Sequence, residues 1–192
     1  MTACHALAGL EREGIVERGR GAGTFVAPPR IRFDKLMRYT EQMASRGLPP
    51  SSKVITAKIV EGEQEIAARL GLGATSRMVK IERVRLTDDE PFALETCYLP
   101  GDEFADLVHA PLARGSLFAA LEHDYDVELA YADEEVDATV AEGRVAQLLN
   151  LRAGAPLLRM RQVIYSSKTK PVIYVIGFYR SERHSLFIRR LR

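Results

Sequence analysis

The chain has few of the residues that disulfide frameworks, metal sites and most catalytic centres require. Cys4 and Cys97 are its only cysteines, and the adjacent His5 is the only histidine close to either of them in sequence. None of the four histidines belongs to a Ser-His-Asp, Cys-His or metal-ligand arrangement. The sequence therefore predicts no disulfide framework, no metal, no cofactor and no catalytic residue.

Long apolar runs are also absent, and the N-terminus lacks a charged segment followed by an apolar stretch. A membrane helix and a secretory signal are therefore not predicted, and a cytoplasmic protein is expected. The glycine-rich segment Gly19 to Gly23 lacks the Lys-Ser/Thr pair of a phosphate loop, which argues against a nucleotide site.

Charge is nearly balanced overall, with a formal net charge of +1, but it is distributed unevenly. Residues 17–38 include six basic and two acidic side chains, whereas residues 102–137 include one arginine and many acids. A locally basic segment is what contacts to nucleic-acid phosphates need.

The first 29 residues are predicted to form a unit of their own. A helix up to Gly14 is followed by a short strand over 15–18, a tight turn and a returning strand over 24–26, and Pro28-Pro29 ends the unit. Taken by composition, Arg18, Arg20 and Thr24 fit either a solvated hairpin tip or a wing on a DNA groove.

Residues 30–50 are predicted to be a linker with one amphipathic helix from about Phe33 to Arg46, stopped by Gly47-Leu48-Pro49-Pro50. An internal repeat follows within residues 51–192. Residues 66–72 and 145–151 each read as a short helix closed by Leu-Gly-Leu or Leu-Asn-Leu, followed by a strand, a hairpin and a second strand.

Two such copies predict four antiparallel strands with their helices on one face. Thr139 and Glu142 have the spacing of a capping box before the second helix. Further strands over 53–60 and 126–140, with a helix at 116–122, bring the total to about six strands in an α+β domain. The strand over 172–180 is apolar on both faces and is expected to be central.

Charged residues on one face of two predicted strands mark the candidate site. Alternation places Arg83 and Arg85 on the face that Val79 and Ile81 begin, and Glu95 is the only charge on its face of the next strand. A salt bridge across the hairpin and a pocket for a small polar anion both explain this pattern.

Two further residues have an ordinary role as well as a possible one in binding. Ser116 fits a helix N-cap and also an anion contact at the same helix end. Tyr179, near the end of the central strand, is more often a core aromatic than a ligand contact in such a position.

The order and spacing of several motifs resemble those of one family. The last part of a GntR-family winged helix-turn-helix is resembled by the following residues: Ala6-Leu7 with Leu10, Glu13 to Val16, Arg18 and Gly21 to Val26. The rest resembles the UTRA effector domain of the HutC subfamily, on the following residues: Arg83 to Arg85, Pro91, Glu95, Tyr98 to Pro100, Gly115 to Leu117, Ala155 to Leu158, Pro171-Val172 with Tyr174, and Tyr179-Arg180.

The resemblance implies a homodimeric transcription factor, a repressor, which binds operator DNA and responds to a small anion such as a sugar phosphate or carboxylate. The implied fold is a chorismate-lyase-like antiparallel sheet with helices, preceded by a truncated winged helix-turn-helix. The implied effector-binding residues are Arg83, Arg85, Glu95, Ser116, Phe118 and Tyr179. The implied DNA-binding residues are Thr2, His5, Arg18, Arg20, Gly21, Gly23 and Thr24.

The chain departs from the family pattern at a few positions. Ile173 stands where many members have a glutamate, Phe118 lacks a tyrosine hydroxyl, and Cys4 or His5 replaces an arginine of the recognition helix. The changes at positions 173 and 118 argue against an amino-sugar phosphate and leave a smaller or less hydroxylated anion as the expected effector. Because the sequence begins inside the recognition helix, weak or no operator binding is expected. An enzyme of the chorismate-lyase fold and a stand-alone ligand-binding module are the alternatives.

Overall fold

The structure is a computed structural model of the 192-residue chain. It describes residues 3–12, 16–19, 23–26, 31–33, 51–87, 89–112 and 115–186. The chain forms two compact units: one consists of Met1–Asp34 with Ser181–Arg192, and the other of Lys35–Arg180. None of the helices in the described ranges is long and apolar enough to cross a membrane.

The first unit contains a helix and two small sheets. Helix α1 (Ala3–Arg12) precedes strands β1 (Val16–Gly19) and β2 (Gly23–Val26), which pair antiparallel as the sequence predicted. Gly23 has a φ of 97°, a left-handed conformation that glycine adopts without strain. The second sheet, β3 (Ile31–Phe33) paired in parallel with β10 (His184–Leu186), was not predicted.

The strand β3 lies at the start of the segment predicted to be a linker. The amphipathic helix predicted there falls, apart from Phe33, on residues 34–50, which lie outside the described residues. The last strand belongs to the first unit, although the sequence placed everything after residue 50 in one domain. The limits 1–29, 30–50 and 51–192 therefore stay a prediction.

The second unit is built on a six-stranded antiparallel sheet with the strand order β4-β5-β6-β9-β8-β7. Its strands are β4 (Ser51–Val60), β5 (Met78–Thr87), β6 (Glu90–Pro100), β7 (Leu129–Val140), β8 (Pro156–Ser166) and β9 (Pro171–Arg180). Its helices are α2 (Gln64–Arg69), α3 (Gly101–Phe104), a 3₁₀ helix (Ala105–His109), α4 (Leu117–Asp124) and α5 (Gly143–Leu148). The predicted α+β class and the central position of β9 are confirmed.

The internal repeat is visible in this strand order. One copy is β4-α2-β5-β6 and the other is β7-α5-β8-β9, so that β6 and β9 meet at the centre. The helices end in the same way. Gly71 and Asn150 have φ angles of 67° and 51°, and each following leucine N–H donates to a carbonyl five residues back, at 2.9 Å in both copies. This helix ending explains the Leu-Gly-Leu and Leu-Asn-Leu motifs.

The predicted capping box of the second copy is wrong. Thr139 lies inside strand β7, and Glu142 is itself the N-cap residue of α5 without a side-chain cap bond. The strand continues to Val140 because the chain pairs with β8 over its whole length, which leaves the threonine no helix to cap.

The two faces of the sheet are covered by different elements. Helices α2 and α5 pack on the same face, as predicted, against residues such as Met78 and Val84. The 3₁₀ helix and α4 pack on the opposite face, which we term the α4 face, against Val79, Ile81 and their neighbours. Both faces of the central strands are therefore buried.

Candidate functional site

The charged residues of β5 continue the α4 face beyond its apolar part. In the register of the sheet Arg83 lies opposite Glu95, and Arg85 lies opposite Ala93, which in turn lies opposite Tyr179. Residues directly opposite one another on antiparallel strands share a face. The three central strands therefore bring Arg83, Arg85, Glu95 and Tyr179 together, and all four are buried.

Glu95 is the centre of a hydrogen-bonded group. The Nε of Arg85 donates to its Oε2 at 2.7 Å, and the hydroxyl of Tyr179 donates to its Oε1 at 2.7 Å. Arg85 Nη1 also donates to the hydroxyl of Ser52 at 3.0 Å, and the ring of Phe92 meets that of Tyr179 edge to face at 5.9 Å. The salt-bridge interpretation of the sequence is therefore confirmed for Arg85.

Arg83 is in a different situation from Arg85. Its side chain is fully buried, with a residue exposure of 1%, yet its Nε and Nη1 have no hydrogen-bond partner among the described residues. Two guanidinium groups and one carboxylate leave this group with one positive charge in excess. A buried donor without an acceptor is costly, so Arg83 is suited to an acceptor supplied from outside the chain.

The electrostatics of the group follow from burial and from its own charges. Burial and the nearby charge of Arg85 lower the pKa of Arg83 to about 10, below the ordinary value of an arginine. Burial opposes ionisation of Arg85 and Glu95 as well, but their mutual attraction outweighs it, so the pKa of Arg85 is raised and that of Glu95 is lowered. Both arginines are therefore cations and Glu95 an anion at neutral pH.

Two neutral neighbours complete this environment. Burial and the charge of Glu95 raise the pKa of Tyr179 well above its usual value, and burial raises the pKa of the Cys97 thiol. The tyrosine is therefore a hydrogen-bond donor and the cysteine an uncharged thiol at neutral pH.

Ser116 and Phe118, the other two predicted effector contacts, lie at the start of α4. Ser116 is the N-cap, and its hydroxyl accepts a hydrogen bond from the backbone N–H of Ala119 at 3.3 Å. Phe118 is partly buried against the apolar residues of the α4 face. The capping role of Ser116 is confirmed, and contact of either residue with a ligand stays a prediction.

Three residues near the group were not anticipated from the sequence. Ser52 had no distinguishing signal, and Phe92 stands at an irregularity of the β5–β6 hairpin that the sequence does not reveal. Gly177 did carry a signal, because a glycine inside a buried strand often marks a close approach of another group.

Comparisons with known proteins identify the family. The UTRA domain family model matches residues 45–185. The chain is 32% identical over 187 residues to the HTH-type transcriptional repressor NagR of Bacillus subtilis, covering 96% of this chain and 76% of that protein. The chain belongs to the GntR family of transcriptional regulators with a UTRA domain.

Solved structures agree with this result. The crystal structure of PhnF from Mycobacterium smegmatis superposes with a TM-score of 0.88 at 25% identity, covering 98% of this chain and 84% of that one. The ligand-binding domain of a GntR-family regulator from Bordetella bronchiseptica gives 0.67 at 26% identity, over 74% of this chain and 89% of that one. Because the relatives are named as regulators, this GntR-family chain is a DNA-binding, ligand-responsive regulator and not an enzyme.

The structure describes only part of the predicted DNA-binding set of this regulator. His5 lies on α1, and Gly23 and Thr24 lie on β2, and all three are exposed. Arg18 lies on β1 opposite Thr24. Thr2, Arg20 and Gly21 lie outside the described residues. DNA contact by these residues stays a prediction.

Proposed function

We propose that the UTRA domain of this regulator binds a small anionic metabolite at Arg83, Arg85, Glu95 and Tyr179, and that this binding controls DNA affinity. The observation that supports the proposal most strongly is Arg83, a buried cation with two N–H groups that have no acceptor among the described residues. A carboxylate, phosphate or sulfate group would supply both the charge and the acceptors.

Arg85 and Arg83 differ in their contacts with Glu95, and this difference supports anion binding at Arg83. Glu95 accepts one bond from Arg85 and one from Tyr179, which neutralises the carboxylate within the protein. Arg83 lies directly opposite Glu95 in the register, yet no ion pair joins the two among the described contacts. Arg85 and Tyr179 hold the carboxylate, and Arg83 is left for the effector.

The surroundings favour a compact anion with few hydroxyl groups. Ile173, where many family members have a glutamate, is fully buried among the apolar residues of the α4 face. A buried isoleucine offers no acceptor for a sugar hydroxyl, and a hydroxyl left without a partner in that place costs binding free energy. A small carboxylate or phosphate ester fits better than an amino-sugar phosphate.

Titration calorimetry with inorganic phosphate and with sulfate tests the proposal. The wild type is expected to bind at least one of these anions. Arg83→Met is expected to abolish binding because it removes the guanidinium that would donate to the anion. Arg161→Met is the matched control, since Arg161 lies on the opposite face and pairs with Glu135 and Asp137. Equal binding by wild type and Arg83→Met would contradict the proposal.

For the DNA side we propose a homodimeric repressor that acts in the cytoplasm, where chromosomal DNA and metabolites are both present. The relatives NagR and PhnF are named as repressors. Arg18, Arg20 and Thr24 of the wing, with Thr2 and His5 of the preceding helix, are proposed to contact the DNA. In a protein that carries this wing on a whole winged helix-turn-helix, replacing Arg20 by alanine is expected to weaken DNA binding and to lower the slope of log K against log salt by about one. An unchanged slope in fluorescence anisotropy would exclude a phosphate contact by Arg20.

A further inference from the structure

The ring of Tyr179 is held in place by the absence of a side chain two residues earlier. A Cβ built at Gly177 would lie 2.9 Å from both the Cζ and the hydroxyl oxygen of Tyr179, and closer still to its Cε2. Contacts under 3.0 Å are not tolerated by real Cβ atoms, so the ring lies directly over the glycine. Any larger residue at position 177 forces the ring to move.

The register shows why this placement is needed. Tyr179 lies opposite Ala93, whereas Glu95 lies opposite Gly177, one row further along the sheet. To donate to Glu95 at 2.7 Å, the tyrosine must lean back along its own strand and cross the position that a side chain at 177 would occupy. The hydrogen bond therefore depends on the glycine.

This dependence extends to the charge left for the effector. With Arg85 on one oxygen and Tyr179 on the other, each oxygen of Glu95 already accepts a hydrogen bond from within the protein. If Tyr179 were displaced, Oε1 would lose its donor while the guanidinium of Arg83, on the residue directly opposite, still had unsatisfied N–H groups. A buried carboxylate and a buried guanidinium so placed would form an ion pair, and the guanidinium of Arg83 would no longer be available to an anion from outside the chain.

We propose that Gly177 is a positioning residue of the effector site: it seats Tyr179 on Glu95 and thereby keeps Arg83 free for an anion. This inference rests on the proposed function. It differs from that function because Gly177 itself contacts neither charge and acts only through the tyrosine ring.

A double-mutant cycle tests the inference, with inorganic phosphate and sulfate as the probes. Gly177→Ala and Tyr179→Phe are each expected to weaken anion binding on the order of tenfold, since each takes the donor from Oε1 of Glu95 and lets the carboxylate pair with Arg83. The double variant is expected to bind no more weakly than Tyr179→Phe alone, because both changes remove the same bond. A loss in the double variant equal to the product of the single losses, or an unchanged affinity in folded Gly177→Ala, would overturn the inference.

A matched control separates binding from stability. Val175 is buried on the same face of β9, within the apolar cluster. Val175→Ala is expected to lower the thermal midpoint while leaving anion affinity unchanged. A tenfold affinity loss in Val175→Ala would show that general destabilisation explains the effect and would remove the support for Gly177.

If Gly177→Ala does not fold, a second cycle decides the question through stability. The collision requires the ring, so adding Gly177→Ala to Tyr179→Ala is expected to leave the urea midpoint of Tyr179→Ala unchanged. A further fall in that midpoint would refute the positioning role. If wild type binds neither anion, the proposed function fails, and this stability cycle alone decides whether Gly177 seats Tyr179.

Discussion

The substitution Arg83→Met is expected to stabilise the protein while it abolishes anion binding. Most substitutions of buried residues destabilise, so the sign is the informative part. Methionine keeps the length and the apolar stem of the arginine but has no charge and no donor. It removes a buried cation whose Nε and Nη1 have no acceptor among the described residues.

The magnitude follows from the pKa of Arg83. Burial and Arg85 lower that pKa to about 10, and at about 1.4 kcal/mol for each pKa unit below the ordinary value of an arginine, the charged form costs about 3 kcal/mol. The two unsatisfied donors give a similar figure, since each costs about 1–3 kcal/mol. Imperfect packing of the methionine offsets part of the gain, so we expect about 1–3 kcal/mol of added stability.

Urea unfolding followed by far-ultraviolet circular dichroism measures the difference, with Arg85→Met as the matched control on the same strand. Arg85 is paired with Glu95 at 2.7 Å, and removing it breaks that buried ion pair and leaves Arg83, on the residue opposite, as the remaining cation beside the carboxylate. That variant is expected to lose stability, with about 3–5 kcal/mol as the upper limit that an uncompensated buried charge would set. Replacement of arginine by methionine should therefore raise the free energy of unfolding at position 83 and lower it at position 85.

Addition of phosphate or sulfate, whichever binds, should reverse the order of wild type and Arg83→Met. Ligand that binds only the folded state stabilises the wild type, and the variant should not respond. An Arg83→Met variant that is less stable than wild type by more than about 1 kcal/mol would contradict this expectation. In that case the arginine would be satisfied within the protein, and the cluster would be a structural ion network.

Two further predictions concern the same region. Ser116→Ala should lower stability by about 1 kcal/mol through loss of the N-cap bond to Ala119. Unchanged phosphate affinity in that variant would restrict Ser116 to capping. Glu95 has a lowered pKa in the folded state, so it stabilises the fold above its ordinary value of 4.5, and that contribution disappears as the pH falls through the folded-state pKa. Glu95→Gln should therefore show a flatter loss of stability in acid, and an acid limb as steep as that of wild type would contradict this.

The fold was predictable because short sequence motifs mark the elements of its repeat. Helix ends marked by Gly71 and Asn150, and hairpins followed by Pro91 and Pro171, divide the chain into the same elements twice. The pairing of β3 with β10 could not be predicted. Each strand has three residues, and about 150 residues separate them, so no periodicity links one to the other.

The charged residues of the site were predictable from alternation, but their pairing was not. Alternation places Arg83 and Arg85 on one face, and both were possible partners for Glu95. In the structure Arg83 lies directly opposite Glu95, while the ion pair is made by Arg85 from the neighbouring row. Which arginine pairs with Glu95 depends on side-chain direction, and a sequence pattern does not contain that information.

The two copies of the repeat differ at the proposed effector site, and the difference supports placing that site in the first copy. The offset between Gly71 and Asn150 is 79 residues, and it relates Arg83 and Arg85 to Gln162 and Ile164. Ile164 is fully buried among the apolar residues under α4. One copy therefore contributes an isoleucine to the core where the other buries a cation.

The stability of the sheet does not require that its two copies differ at this position. Ile164 is an apolar core residue of the second copy, whereas Arg85 at the corresponding position of the first copy is a buried cation with Glu95 as its counterion, and burying both charges costs desolvation free energy. At this position one copy of the repeat has a costly buried charge and the other has a stable apolar residue. Such a difference is expected where a residue is kept for function and not for packing. This is why we locate effector binding in the first copy.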